Sequence, residues 1–270
     1  MPRVERPDGA EIHWTEQGSG PLVVLAPYTN FHPSVYDAVA ADLGADHRLV
    51  RYDDRGTGES SPHGPHDMET GAADMAAVIE AAGGPAVVLG LVDAANRAIR
   101  VCARSPELVH AVVIGGGIPA DRRALEGSDA MAASDTVVDA FLSMVETDYR
   151  GALRSLVTAA NTQMSEDEVR RRVQLQAEYQ PQEVAVARLR AWVDDEALEP
   201  ARACGDRLWL LYAESLGGGW FPSGGEAVRL ARRLFPDAHV MEIEEGIVSR
   251  PDLVAGMVRR ITAPVRATPA

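Results

Sequence analysis

Ala86-Val-Val-Leu-Gly90-Leu-Val-Asp-Ala-Ala95 is a short, unbroken apolar run that passes straight into a helical pattern reaching about Arg104. A run of that length and content reads as a strand buried on both faces. Working outward, Pro21-Leu-Val-Val-Leu-Ala is a second buried strand, bounded by Gly18-Ser-Gly and Pro27, and Glu11 to Glu16 reads as an edge strand. His47 to Tyr52, Val109 to Ile114, Arg207 to Tyr212 and His239 to Ile243 supply further strands. Helical patterns fall between them at Tyr36 to Leu43, Thr70 to Ala82, Glu226 to Leu234 and Asp252 to Ile261. Strands alternating with helices imply a mostly parallel sheet covered on both faces. Residues 119–200 break that rhythm with charged helical segments at Asp135 to Val145, Ser165 to Tyr179 and Gln182 to Asp194. Residues 1–118 and 201–270 are therefore expected to form an α/β core, with 119–200 a helical cap over its carboxyl edge, where open sheets bind ligands.

Composition removes several function classes. Of 270 residues, 46% are hydrophobic and 24% charged, enough apolar content for a sizeable core and too much for disorder. Forty acidic residues against 26 basic ones give a net charge of −14, the wrong sign for tracking nucleic-acid phosphates. All 26 basic residues are arginine, so the chain has no lysine for a Schiff base or a phosphate-binding loop. Arginine without lysine, with abundant Ala, Val and Asp, suggests GC-rich bacterial coding. The start, Met1-Pro-Arg-Val-Glu-Arg, has no apolar signal core and no stretch is long enough to span a membrane, so a cytoplasmic protein is expected. Cys102 and Cys204 lack any zinc spacing and read as buried free thiols. His63 and His66 share a Pro-Gly loop without a third ligand, so no metal is expected. No cofactor fingerprint is present either: Gly115-Gly-Gly and Gly217-Gly-Gly do not sit as Gly-x-Gly-x-x-Gly between strand and helix.

Tyr52-Asp-Asp-Arg-Gly-Thr-Gly-Glu-Ser60 resembles the Asp-x-Arg-Gly-x-Gly-x-Ser turn of the α/β-hydrolase fold family, and Ala103-Arg-Ser-Pro-Glu-Leu-Val-His-Ala-Val-Val-Ile resembles that family's helix end and sixth strand. The resemblance covers most of residues 10–118 and 205–262. It implies an α/β-hydrolase fold: a mostly parallel central sheet, helices on both faces and a helical cap insertion. It also places Gly90-Leu-Val-Asp-Ala94 at the nucleophile elbow, Gly-x-Ser-x-Gly, so that Val92 stands where the nucleophile belongs. A register slid by one would put Asp93 there, as in dehalogenases and epoxide hydrolases of this fold, but Gly90 and Ala94 fit the small-residue positions better than Leu91 and Ala95. The resemblance further places Gly246-Ile247 at the usual Gly-His, Ser215-Leu216 at the acid, and Pro27-Tyr28 at the His-Gly of the oxyanion loop. An isopropyl group cannot attack a carbonyl, so the family's Ser-His-Asp chemistry is expected to be missing.

Three polar side chains are candidates for acid/base work in the cleft. His32 and Tyr28 lie in the loop after the third strand, and Asp93 follows the elbow, where it is either a desolvated base or a cap on its own helix. Asn96, one turn on, would bond Asp93 or a ligand. Thr29, Val92 and Ile247, with Phe141, Met144, Trp192 and Trp220, would line an apolar pocket, though the aromatic residues fit equally well as the cap's own core. Asp53, Asp54 and Arg55 read as an ion-pair cluster bracing their turn, and Arg170-Arg-Arg as a solvated helix face. The expected function is a non-hydrolytic enzyme of cyclase, lyase or isomerase type acting on an apolar or aromatic small molecule in bacterial natural-product metabolism. The alternatives are a ligand-binding or scaffold protein, and an ester, lactone or epoxide hydrolase working through Asp93 or an activated water. The partners expected are a small apolar ligand and a second copy in a homodimer; nucleic acid and membrane are not.

Overall fold

In a computed structural model describing residues 2–115, 129–160, 164–213, 224–243 and 250–263, the buried apolar runs assemble into one sheet. Its strands are β1 (Arg3–Glu5), β2 (Glu11–Gly18), β3 (Leu22–Leu25), β4 (Arg48–Tyr52), β5 (Ala86–Leu91), β6 (Val109–Gly115), β7 (Leu208–Ala213) and β8 (His239–Ile243). They lie in the order β1-β2-β4-β3-β5-β6-β7-β8. All neighbours from β4 to β8 are parallel, while β1 and β2 add an antiparallel margin. The strand read from Glu11 is therefore not the edge. Arg3–Glu5 pairs outside it, a strand too short to show a periodicity in sequence.

β3 and β5 form the centre of the sheet and every residue in them is buried, which is why neither alternates apolar with polar. Helices α1 (Asp37–Leu43), α2 (Met68–Ala81), α3 (Asp93–Arg104), α9 (Gly224–Leu234) and α10 (Pro251–Thr262) belong to the core. Four cap helices run between β6 and β7, α4 (Asp129–Thr147), α5 (Tyr149–Ala160), α6 (Glu166–Tyr179) and α7 (Gln182–Val193), and the short α8 (Leu198–Ala203) leads back into the sheet. The cap has an apolar cluster of its own, built on Phe141, Val145, Tyr149, Leu153, Val169, Val173 and Leu189, separate from that of the sheet. Arg170, Arg171 and Arg172 are exposed and pair with Asp167 and Glu168 on the same helix. Among the described residues no helix is long and apolar enough to cross a membrane.

α3 is the central helix, with every residue from Asp93 to Cys102 buried. It approaches β5 so closely that a Cβ on Gly90 would lie 3.0 Å from both Ala94 O and Ala95 N. Those atoms are backbone and cannot yield without shifting the helix. Gly90→Val is therefore expected to cost at least the roughly 1–3 kcal/mol of an overpacked core, measured by urea unfolding. Gly256→Ala, on open helical surface of α10 with nothing within 4 Å, is expected to stabilise by about 0.5–1 kcal/mol in the same assay.

Candidate functional site

A single residue, Val92, separates the end of β5 from the start of α3, and its backbone is left-handed at φ 50°, ψ −121°. Such a turn costs a β-branched residue about 1–3 kcal/mol and survives only where the surroundings over-determine it. Here the fully buried β5 and the fully buried first turns of α3 do so. Val92, rather than Asp93, occupies the turn between strand and helix. Asp93 is instead the first residue of the helix, 0% exposed.

The Asp93 carboxylate points back beneath the loop that follows β3. It accepts hydrogen bonds from Thr29 N at 2.8 Å, Thr29 Oγ1 at 3.0 Å and the Arg97 guanidinium at 3.0 Å. Arg97, one helical turn on and buried, also donates to Asp54 Oδ1 at 2.5 Å and to Pro27 O at 2.6 Å. The other Asp54 oxygen accepts from Arg188 of cap helix α7, which also donates to Arg55 O at 2.8 Å. A line of alternating charge thus runs from the loop after β3, through the helix behind the elbow, into the cap. Burial by itself would raise the Asp54 carboxyl, but the Arg188 and Arg97 guanidiniums outweigh it and hold that group below the usual carboxylate range. Beside this line lies a void of about 10 Å³, bordered by Asp54, His66, Asp93, Arg97 and Arg188 and large enough for one water. His66 Nδ1 and Arg188 Nε are buried there without a hydrogen-bond partner.

Asp53, Asp54 and Arg55 do not pair with one another. Asp53 accepts from Glu59 N, Tyr179 Oη and contacts His13 Nδ1 at 2.9 Å, while Arg55 turns to Asp74 and Asp8. Adjacent residues in this turn face different directions, so each finds its partner in a different element. The cap docks on this turn and on the loop after β3: Gly58 N donates to Tyr179 O at 3.0 Å, and Asn30 N donates to Gln180 Oε1 at 2.8 Å.

Tyr28 is buried, stacked on Phe31 with centroids 4.6 Å apart and edge-on to Tyr36 at 5.9 Å. Burial, reinforced by the nearby Asp93 charge, drives its phenol pKa upward, so the hydroxyl keeps its proton as a donor. His32 Nδ1 accepts from Ser34 N at 3.2 Å and caps the single 3-10 turn at 33–36. That bond puts the proton of the neutral ring on Nε2. Burial also lowers the His32 pKa, with Asp37 and Asp53 opposing, so the ring is neutral at pH 7. His32 lies edge-on to Tyr179 at 5.1 Å, on the cap seam.

The remaining expected residues divide. Asn96 bonds neither Asp93 nor an open cleft: its amide donates to Asp195 Oδ2 at 2.7 Å, because its position on α3 faces the segment after α7. Arg100 donates to the same carboxylate at 2.8 Å. Phe141 belongs to the cap's own core, with Trp192 packed against that cluster, whereas Met144 on the same helix is exposed. Trp220 and Ile247, like Ser215, Leu216 and Gly246, lie outside the described residues. Sequence reasoning missed Arg97, Arg188 and Asp195. The signal for Arg97 was present: Asp93 and Arg97 stand four apart on a helix of small apolar residues, the spacing of an ion pair on one face.

Solved structures of similar shape are numerous. The chain superposes with TM-score 0.78 on an esterase from Exiguobacterium antarcticum, at 16% identity over 97% of this chain and 99% of that one. A bromoperoxidase from Bacillus anthracis gives 0.78 at 17% identity over 94% and 96%, and an enol-lactonase from Burkholderia xenovorans 0.71 at 18% over 96% and 98%. The chain has the α/β-hydrolase fold. At this identity the likeness extends to the fold alone. No protein-family profile and no curated protein matches the chain.

Removing one member of the buried line leaves its partners charged and unpaired. Asp54→Asn is expected to cost about 3–5 kcal/mol in chemical unfolding. The sign with pH follows from the depressed folded pKa: the Asp54 contribution is complete above the unfolded value of about 4 and is lost as pH falls through the lower folded one. Wild-type stability should therefore drop more steeply below pH 4 than that of Asp54→Asn.

Proposed function

We propose that this chain is a non-hydrolytic enzyme of the α/β-hydrolase fold, of cyclase, lyase or isomerase type, acting on an apolar or aromatic small molecule between cap and sheet. The observation that carries this reading is Val92 at the apex of the elbow. The strained backbone that in the fold family presents an attacking oxygen presents an isopropyl group here, which supplies no nucleophile. Catalysis then rests on positioning and proton transfer, with His32 Nε2–H on the cap seam and the buried Tyr28 hydroxyl as donors. Asp93 contributes by position: its carboxylate holds the Thr29 backbone and Arg97, which keeps the loop carrying Tyr28 and His32 in place. The same bonds weigh against a hydrolase with Asp93 as nucleophile, since attack would give up three hydrogen bonds inside a buried ion pair. A cytoplasmic place in a bacterial natural-product pathway suits this chemistry.

A ligand-binding role without turnover is the second reading, favoured by how many polar groups near the elbow are already committed to one another. The two separate in a thermal screen with hydrophobic polycyclic compounds followed by product analysis. Both readings expect stabilisation by mass action, and the enzyme reading adds conversion that falls roughly 10²- to 10⁴-fold in His32→Ala and less in Tyr28→Phe. For the loss of hydrolysis, a fluorophosphonate probe should leave the wild type unlabelled. Val92→Ser should fold and still cleave p-nitrophenyl esters at the rate of buffer, because a serine without a base stays a neutral alcohol. An acyl adduct on residue 92 would sink the proposal.

A further inference from the structure

Buried polar groups in a folded chain almost always find a hydrogen-bond partner, and those that do not need a reason to be there. Two such groups lie where the cap joins the loop after β3. Asn30 and Gln176 are buried, at 4% and 3% exposure, and neither Asn30 Oδ1 nor Gln176 Oε1 has a hydrogen-bond partner. Both residues converge on Gln180, whose Oε1 accepts from Asn30 N at 2.8 Å and from Gln176 Nε2 at 3.2 Å. A backbone N–H can only donate, so the Asn30 bond fixes which end of the Gln180 amide is oxygen, and Gln176 must then face that oxygen with its nitrogen. The Gln176 carbonyl is the end left over. Gln180 is itself held firmly, with its N donating to Gln176 O at 2.9 Å and its O accepting from Tyr149 Oη at 3.1 Å. The backbone of Asn30 is left-handed at φ 67°, a conformation that glycine adopts more freely. Glycine would serve the turn as well, so the carboxamide answers to another need.

We propose that Asn30 Oδ1 and Gln176 Oε1 are acceptors for a hydroxyl or N–H group of the bound small molecule, and that they select a ligand carrying such a donor over one of the same shape without it. This rests on the reading above, in which an apolar or aromatic molecule lies between cap and sheet. Asn30 stands between Tyr28 and His32 on the loop after β3, and Gln176 lies in the last turn of α6 in the cap, so the two carbonyls belong to opposite sides of the seam. Carbonyl oxygens repel an anion, and a buried cation would need a counter-charge that these amides do not supply. The donor is therefore neutral: a phenol, an alcohol, an amide or a heteroaromatic N–H. A ligand lacking it would leave both carbonyls desolvated and unpaired, which is how sites built on buried polar groups discriminate between isosteres.

The test uses the full-length protein and calorimetric titration with two matched pairs, 2-naphthol against 2-fluoronaphthalene and indole against benzofuran. Each pair is alike in shape and differs in the O–H or N–H. The wild type is expected to bind the donor member of one or both pairs about 10- to 100-fold more tightly, the scale on which an unpaired buried acceptor is penalised. Asn30→Gly keeps the left-handed turn and the backbone bond to Gln180 while removing the carboxamide, and Gln176→Leu removes the other carbonyl. The preference should vanish in one variant or both, according to which carbonyl the donor meets. Should a variant fail to fold, the wild-type comparison and the other variant still decide. Equal affinities within both wild-type pairs, as expected if water serves the two carbonyls, would overturn the assignment and leave the pocket standing. A preference kept in both variants would put the acceptor elsewhere and overturn it too. Binding of none of the four compounds would remove the pocket itself, and the assignment with it.

Discussion

The buried Arg97 guanidinium is the point on which the site depends. It lies one turn behind the elbow and touches three separate pieces of chain: Asp54 after β4, Pro27 O after β3, and Asp93 on its own helix. Taking charges out of water costs several kcal/mol per ion, so such a cluster adds little net stability over an apolar core. What it adds is exclusivity of arrangement. With every donor and acceptor matched, a shifted loop or a tilted helix leaves a charge unpaired in low dielectric, and that penalty far exceeds the net gain of the intact set. A planar fork with five donors fixed in direction serves three partners at once here, where an ammonium offers three donors and no fixed fork, and a chain built with arginine as its only strong cation is suited to this device.

The same line couples the cap to the elbow. Asp54 is shared between Arg97 of the core and Arg188 of the cap, so the carboxylate that orders the loops behind Val92 also seats α7. Around it, Tyr179 bonds Asp53 and Gly58, and Gln180 bonds Asn30. The seam between cap and sheet is therefore polar and directional on this side, while each layer has its apolar cluster to itself. A cap attached by matched hydrogen bonds has a defined closed position, which a greasy contact between two smooth surfaces does not impose. The further tie at the far root of the cap, where Arg100 and Asn96 meet Asp195, follows the same pattern.

Strain and its support are adjacent in this molecule. Val92 carries the unfavourable backbone, and the residues on either side, Leu91 and Asp93, are buried, in strand and in helix respectively. Gly90 lets the helix come close enough for both to be held. The backbone geometry of the turn thus rests on its neighbours and on the glycine rather than on the side chain at its apex, which explains how the turn persists with valine there.

By itself the sequence determined the layers: continuous apolar strands at β3, β5 and β6 and the helices between them. Those are properties of local periodicity and of residue spacing, which short windows carry. It also held one local clue to the ion-pair line, Asp93 and Arg97 on a single helix face. The partners of that pair, however, come from residues 27, 29 and 54, and neither their distance in sequence nor their neighbours mark them. Asn96 turned to Asp195 and Phe141 to the cap's core for the same reason. Which groups meet in a buried interface is decided when the layers pack, because only then does each desolvated charge or donor have to find the one partner within reach.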